Sequence, residues 1–226
     1  MIRPYRSEDR DAVRHVCFET GYLGAPVVDR WRDQESFADL FSGYYTDHEP
    51  GSAYVLELDG RVVGYLLGCR DSRTAPNEAK VLLRHIVRRG LLFRPGTAGF
   101  LWRCVGDIVG DVARRQVAAP VRFDGRWPAH LHIDLLPEGR GQGFGAALVR
   151  TWLDQLRREG VAGCHLTTFA ENAPAITFFE SMGFERRGRP QLVPGMRTPD
   201  GGRHHSQLMV QPFGGATGAT SRGPAG

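Results

Sequence analysis

Two stretches of this 226-residue chain carry residue types whose spacing could do chemistry. The first is Arg140-Gly141-Gln142-Gly143-Phe144-Gly145, which lies between an apolar run, His130 to Leu136, and an amphipathic stretch, Gly145 to Glu159. A strand, a glycine-rich bend and a helix start gather unsatisfied N–H donors and partial positive charge at one point, which makes a cradle for phosphate groups. The second is His130-Leu-His132-Ile-Asp134. On a strand, alternate residues face alternate sides, so both histidines and the aspartate share one face while Leu131, Ile133 and Leu135 share the other. Polar groups at the centre of a sheet are costly unless they are paired or open onto a cleft. If a cleft is there, the carboxylate and imidazoles can move protons near neutrality.

Other anion loops fit the first stretch less well. A Walker loop needs Gly-Lys-Ser/Thr at its end, and none follows here. The dinucleotide fingerprint fails in its all-glycine form. Its looser form fits Gly141, Gly143 and Ala146 with Glu171 as the acid, but on a late strand rather than the first of a unit. For the second stretch, His-x-His-x-Asp resembles the metal run of binuclear zinc hydrolases. That run sits in a loop and continues with another histidine, whereas Leu135 follows here, so no metal is expected. Hydrogen bonding of His132 and Asp134 to neighbouring strands, with no catalytic role, stays open as the plain structural reading.

Hydrophobic residues at 41% and charged residues at 24% describe an ordinary globular chain. The formal charge of +4 suits an anionic cofactor without demanding nucleic acid. Cys17, Cys69, Cys104 and Cys164 form no Cys-x-x-Cys pair, which predicts reduced thiols; Cys164 reads as a buried, inert residue. No apolar run reaches membrane-spanning length, and Met1-Ile-Arg-Pro-Tyr-Arg6 lacks a signal-peptide core. A cytoplasmic protein with no membrane partner is therefore expected.

Strands are predicted over residues 2–5, 53–58, 62–69, 130–136, 161–169, 184–193 and 204–211, and helices over 8–19, 34–44, 146–159 and 172–182. Asp59-Gly60 signals a hairpin. The connection from about 72 to 128 is too long for a bare loop. It holds two apolar-periodic segments, 79–93 and 99–116, broken at Arg94-Pro-Gly96, and reads as a helical insertion between the third and fourth strands. Residues 214–226 are rich in Gly, Ala, Thr and Ser and are expected to be disordered. Together these elements make an α/β domain over residues 1–213, with a mixed sheet that needs a parallel crossover only around the cradle.

This order of elements, with the cradle on the fourth strand, resembles the GNAT acetyltransferase superfamily. Arg140 to Gly145 matches its (Gln/Arg)-x-x-Gly-x-(Gly/Ala) loop, and Ile133-Asp-Leu-Leu-Pro137-Glu-Gly-Arg140 matches its strand ending in Pro-Glu-x-Arg. Asn172-Ala-Pro-Ala175-Ile-Thr-Phe178-Phe-Glu-Ser-Met-Gly183-Phe184 resembles its second signature. Within the superfamily, Thr20-Gly21-x-x-Gly24 and His130 to Pro137 resemble the group related to the C-terminal acetyltransferase-like domain of O-GlcNAcase.

The resemblance implies a single domain with a splayed sheet and acetyl-CoA as co-substrate. It implies direct acetyl transfer to an amine, either a small molecule or a peptide, with a homodimer as an option. The pyrophosphate would be met by Arg140, Gly141, Gln142, Gly143, Phe144 and Gly145. Leu135 and Leu136 would pair with the pantetheine arm, Asn172 would bond it from the next helix, and a strand N–H near Leu136 would receive the oxyanion. Asp134 is the first candidate for general base and His132 the second. Phe179 stands where the superfamily usually has the tyrosine that protonates the departing thiolate, so the usual acid is absent. An acetyl-CoA-binding module with weak or lost catalysis is therefore the alternative. Tyr22 and Tyr45 are candidate substrate contacts near the first two helices, and Tyr44 lies beside Tyr45; Lys80, Arg84, Arg88, Arg89 and Arg94 give the insertion a basic side.

Overall fold

The computed structural model describes residues 1–115 and 124–213. The predicted tail from Gly214 and the last residue of the predicted 99–116 helix lie outside these. Asp59 and Gly60, both at positive φ (49° and 74°), turn the chain between β2 (Ala53–Leu58) and β3 (Arg61–Cys69), as expected of a tight hairpin. With β1 (Ile2–Pro4), β4 (Ala129–Leu135), β5 (Gly163–Phe169), β6 (Glu185–Arg197) and β7 (Arg203–Pro212), they form one seven-stranded sheet. Its order is β1-β2-β3-β4-β5-β7-β6, and every pairing is antiparallel except β4 with β5.

Helices cover both faces. α1 (Arg10–Thr20) buries Val13, Val16, Cys17 and Phe18 and touches β3 and β4. On the other face, α6 (Phe144–Arg158) buries Leu148, Val149, Trp152, Leu153 and Leu156. Trp152 lies so close to β3 that a Cβ on Gly68 would come within 2.6 Å of its ring. Glycine is required there because only a bare backbone leaves room for the indole. α7 (Ala173–Ser181) follows β5.

The second helical region departs from its sequence reading. One helix over 34–44 is predicted, but the chain forms α2 (Gln34–Ala38), a π-helical turn (Asp39–Gly43) and α3 (Tyr44–His48). The buried Arg14 guanidinium reaches both Glu35 and Asp39, each at 2.5 Å, and holds the start of the wide turn. A π-turn takes in one extra residue and resets the helical phase. Tyr45 thereby becomes buried against β4.

Between β3 and β4 the insertion forms α4 (Glu78–Arg89) and α5 (Ala98–Ala113), broken at the predicted place. Asp33, with its side chain 2% exposed, anchors it by accepting from Arg89 at 2.9 Å and from Arg94 while capping α2 through Ser36 N at 3.0 Å. Burial works against the Asp33 charge, but Arg89 and the Ser36 donors outweigh it and hold its pKa below the usual range. Asp33→Ala removes the shared partner of two part-exposed arginines and uncaps α2. It should lower unfolding free energy by about 1–3 kcal/mol in urea titrations. Asp33→Asn, which keeps the cap, should lose less.

Candidate active site

β4 and β5 pair at only two positions, Ala129 with Cys164 and His130 with His165, and then diverge. On the other side, β4 stays paired to β3 through Leu135. Leu136 N–H donates to Val63 O at 2.8 Å, so it points toward β3 and is already satisfied. Backbone direction alternates along an antiparallel strand. The N–H groups of Asp134 and His132 therefore point the same way as that of Leu136, and those of Ile133 and Leu135 point into the opening beside β5. The sequence reading placed the oxyanion donor near Leu136; the register turns the Leu136 N–H to β3 and leaves those of Ile133 and Leu135 facing the opening.

The glycine cradle closes the far end of this opening. Gly141 and Gly143 adopt φ of +74° and +81°, and a Cβ on either would meet no atom within 4 Å. Left-handed backbone with open space in front is what an anion approaching the main chain needs. α6 begins at Phe144, two residues earlier than predicted, so Phe144, Gly145 and Ala146 supply first-turn N–H donors. The helix start is wedged between β4 and α7: Gly145 faces Leu135 and Phe178, each 3.5 Å from a Cβ placed there. The Arg140 guanidinium, read as a cofactor contact, instead bonds Leu135 O at 2.8 Å and Gly24 O at 2.7 Å. Gln142 donates from its side chain to Glu138 O at 2.9 Å. Both side chains brace the loop, which leaves anion contact to its backbone.

On the α1 side of β4, His130, His132 and Asp134 do share a face. Tyr65 on β3 donates to Asp134 Oδ2 at 2.6 Å. Burial drives the Asp134 pKa up to about 7, against the opposing influence of Tyr65, Thr20 and Arg140. His132 moves the other way, down to about 4, and His130 down to about 3, each through burial first and neighbouring histidines second. Both ring nitrogens of His130 are held, Nδ1 by the Ser72 hydroxyl and Nε2 by the Tyr45 hydroxyl, each at 2.7 Å, and Ser72 Oγ also meets Pro128 O at 2.7 Å. Tyr45, His130, His132 and His165 line a cleft of about 870 Å³ under α3 and α4. Asp134 is outside this cleft wall, deeper beside Tyr65 and the end of α1.

The remaining candidates are spread out. Asn172 Oδ1 caps α7 by accepting from Ala175 N at 3.2 Å, and its amide N–H₂ is left to serve a ligand. Phe179 is 6% exposed and packs on Phe178 and Phe184, with ring centroids 5.0 Å and 5.9 Å away. Tyr22 and Tyr45 do not share a wall. Tyr22 bonds Arg197 O (3.2 Å) and His204 Nε2 (3.0 Å), and His204 Nδ1 meets Glu171 at 3.1 Å. The Tyr22 loop is thus tied to Glu171 at the end of β5 and, through Gly24, to Arg140 at the end of β4. Sequence reasoning missed Ser72 and His165, named Glu171 only as the acid of a dinucleotide fingerprint, and gave His204 no place here, although it is buried at 1% exposure. Strand alternation could have flagged His165, whereas Ser72 and the Glu171–His204 link depend on contacts remote in the chain. Among the described residues, no three His, Cys, Asp or Glu side chains gather to hold a metal ion. Cys164 is buried, with its thiol pushed up to about 12 by desolvation. No helix among the described residues is long and apolar enough to cross a membrane.

The family model for acetyltransferases of the GNAT family matches residues 18–184, which span both the cradle and the Asn172 helix. The chain belongs to the GNAT acetyltransferase family. It is 31% identical to the crystal structure of SsHAT, with a TM-score of 0.67 over 94% of this chain and 97% of that one. A putative acetyltransferase from Salmonella typhimurium, solved with its cofactor acetyl-CoA, shares the fold at TM-score 0.58 and 17% identity, covering 98% of each chain. Over 83 residues, 36% of this chain and 53% of the relative, it is 44% identical to the [ribosomal protein bS18]-alanine N-acetyltransferase of Escherichia coli. Over 85 residues, 37% of each chain, it is 38% identical to the probable N-acetyltransferase family 8 member 5 of Mus musculus. The chain therefore matches about a third to a half of these curated relatives. GNAT acetyltransferases use acetyl-CoA, and the open, glycine-lined cradle fits its pyrophosphate.

Proposed function

We propose that this protein is an acetyl-CoA-dependent N-acetyltransferase that transfers acetyl directly to an amine, with Asp134 acting first as base and then as acid. The observation that carries this reading is the splay itself. Between the cradle and the polar face of β4 it frees the N–H groups of Ile133 and Leu135, which flank Asp134. Acetyl-CoA supplies the activated acetyl group. The Gly141–Gly145 backbone and the first turn of α6 would hold its pyrophosphate, and the Asn172 amide would bond its arm. The Ile133 N–H would stabilise charge developing on the carbonyl oxygen. The Asp134 carboxylate takes a proton from the amine as the C–N bond forms. It returns that proton to the sulfur as the C–S bond breaks, so one group does the work usually divided between a base and a tyrosine. A carboxyl near pH 7 suits both directions. His132, held near 4, is a weak base at neutral pH and serves as a neutral cleft wall.

The buried apolar setting of Phe179 favours the second reading, a module that binds acetyl-CoA with little turnover. Thiol release from acetyl-CoA, measured with small amines, aminoglycosides and peptides bearing free N-termini or lysines, separates the two. Release driven by at least one amine supports transfer; tight acetyl-CoA binding with no amine-dependent release across the panel supports the binding module. Because Asp134 handles both proton steps in the first reading, Phe179→Tyr should change the rate by less than about threefold. A rate gain of tenfold or more would show that thiolate protonation limits and that Asp134 does not supply it. The finer placement beside the O-GlcNAcase-related group rests on residues 20–24 and 130–137 alone and enters none of these steps. A cytoplasmic setting and a homodimer are likewise proposals.

A further inference from the structure

The cleft under α3 and α4 runs into the opening between β4 and β5. Its wall includes His132 and Thr167, each two residues beyond the last β4–β5 pair, His130 with His165. A molecule seated there can present one end where the strands part, beside Ile133 and Asp134, and leave the rest under the two helices. Most of the wall is neutral. Burial first holds His130, His132 and His165 below the usual imidazole range, and burial first lifts Tyr44 and Tyr45 above the usual phenol range. Of the three carboxylates on the wall, Asp39 meets Arg14 at 2.5 Å and Asp47 meets Arg10 at 2.9 Å.

Glu78 is the third. It starts α4 and lines the cleft, and among the described residues it has no ion-pair partner. Its charge acts on the Tyr45 hydroxyl, which bonds His130, so the carboxyl faces that end of the cleft. Although the residue is exposed, the protein around its carboxyl raises its pKa, and no cation opposes the rise. A carboxylate left uncompensated in a cleft gains most from a ligand that brings the missing positive charge. Arg84 also lines the cleft without an ion-pair partner among the described residues, but it sits six residues, about 9 Å, further along α4. An acid in a first turn also suits the helix dipole, a role that needs no ligand and does not distinguish one ligand from another. We propose, building on acetyl transfer at the β4–β5 opening, that the acceptor carries a second cationic group: Glu78 holds that group while the reacting amine passes His132 into the opening.

Calorimetric titration into the CoA-loaded full chain, where no acetyl can move, tests it. The probes are α,ω-diaminoalkanes, each matched by the n-alkylamine and the ω-amino acid of the same chain length. The best diamine should bind at least about tenfold more tightly than both of its matched compounds. Glu78→Gln should remove that margin, and Glu78→Lys should turn it toward the ω-amino acid. Damage to α4 would weaken all three compounds together and would not reverse their order. No diamine binding, equal affinities in the parent, or a diamine margin that survives Glu78→Gln overturns the proposal. So does tighter binding of the ω-amino acid to the parent, which assigns charge selection to Arg84. CoA release from acetyl-CoA, measured with the same compounds, separates the site from the chemistry. A Glu78-dependent diamine margin without release keeps the cation site and removes acetyl transfer; release with one KM for diamine and alkylamine does the opposite.

Discussion

Asp134→Asn is expected to slow amine-dependent CoA release by about 10²–10⁴-fold and to leave acetyl-CoA affinity within about threefold, as read by calorimetric titration. Asparagine keeps the shape and can still pair with Tyr65, but it cannot take a proton from the amine or hand one to the thiolate. Parent-like turnover in this variant would remove Asp134 from the chemistry. His132→Gln should cost far less, because an imidazole held near 4 contributes little as a base at neutral pH. A larger loss at His132 than at Asp134 would reverse their roles.

The same substitution has a signature in stability. Burial raises the Asp134 pKa to about 7, while the unfolded carboxyl titrates near 4. Between those values the folded chain binds the proton and the unfolded chain does not, so stability falls as pH rises from about 4 to about 7 and stays lower above it. Asparagine carries no such penalty. The unfolding free energy of Asp134→Asn should equal the parent's near pH 4 and exceed it above pH 7, by an amount on the order of 1–3 kcal/mol, as read by urea titration at each pH. The parent's kcat/KM should rise through about pH 7 as the carboxylate forms, a limb the variant lacks. A variant that is less active yet more stable is the pattern of a group held in a costly state for function.

Gly143→Val is the second large expectation. Gly143 sits at φ +81° with nothing within 4 Å of a Cβ built on it. A branched side chain would strain left-handed backbone by about 1–2 kcal/mol and fill the space an anion needs to reach the N–H groups. Acetyl-CoA binding should weaken by about 10–100-fold. Gly160→Val is the control, because Gly160 has φ +72° and equally open surroundings at the other end of α6. It should reproduce the loss of Tm and leave acetyl-CoA affinity intact. Equal weakening in both variants would mean that strain transmitted through α6, not the cradle, governs binding.

Much of this was legible locally. The Asp59-Gly60 hairpin, the break at Arg94-Pro-Gly96, the alternation that sets His130, His132 and Asp134 on one face, and the glycines that bend the chain before α6 are short-range effects, fixed by φ preferences and strand or helix period. They sufficed for the architecture, the family and the cradle. The sequence by itself could not show which N–H groups the splay frees, because that depends on the β3–β4 register through Val63 and Leu136, residues far apart in the chain. Nor could it show that Arg140 braces Gly24 and that Tyr22 is tied to Glu171 through His204. The π-turn that brings Tyr45 onto His130 was hidden too, since Arg14 holds it from another helix. Above all, the sequence ranks Asp134 ahead of His132 only by its place along the strand, and burial, which moves a carboxyl up and an imidazole down, gives the two opposite proton affinities.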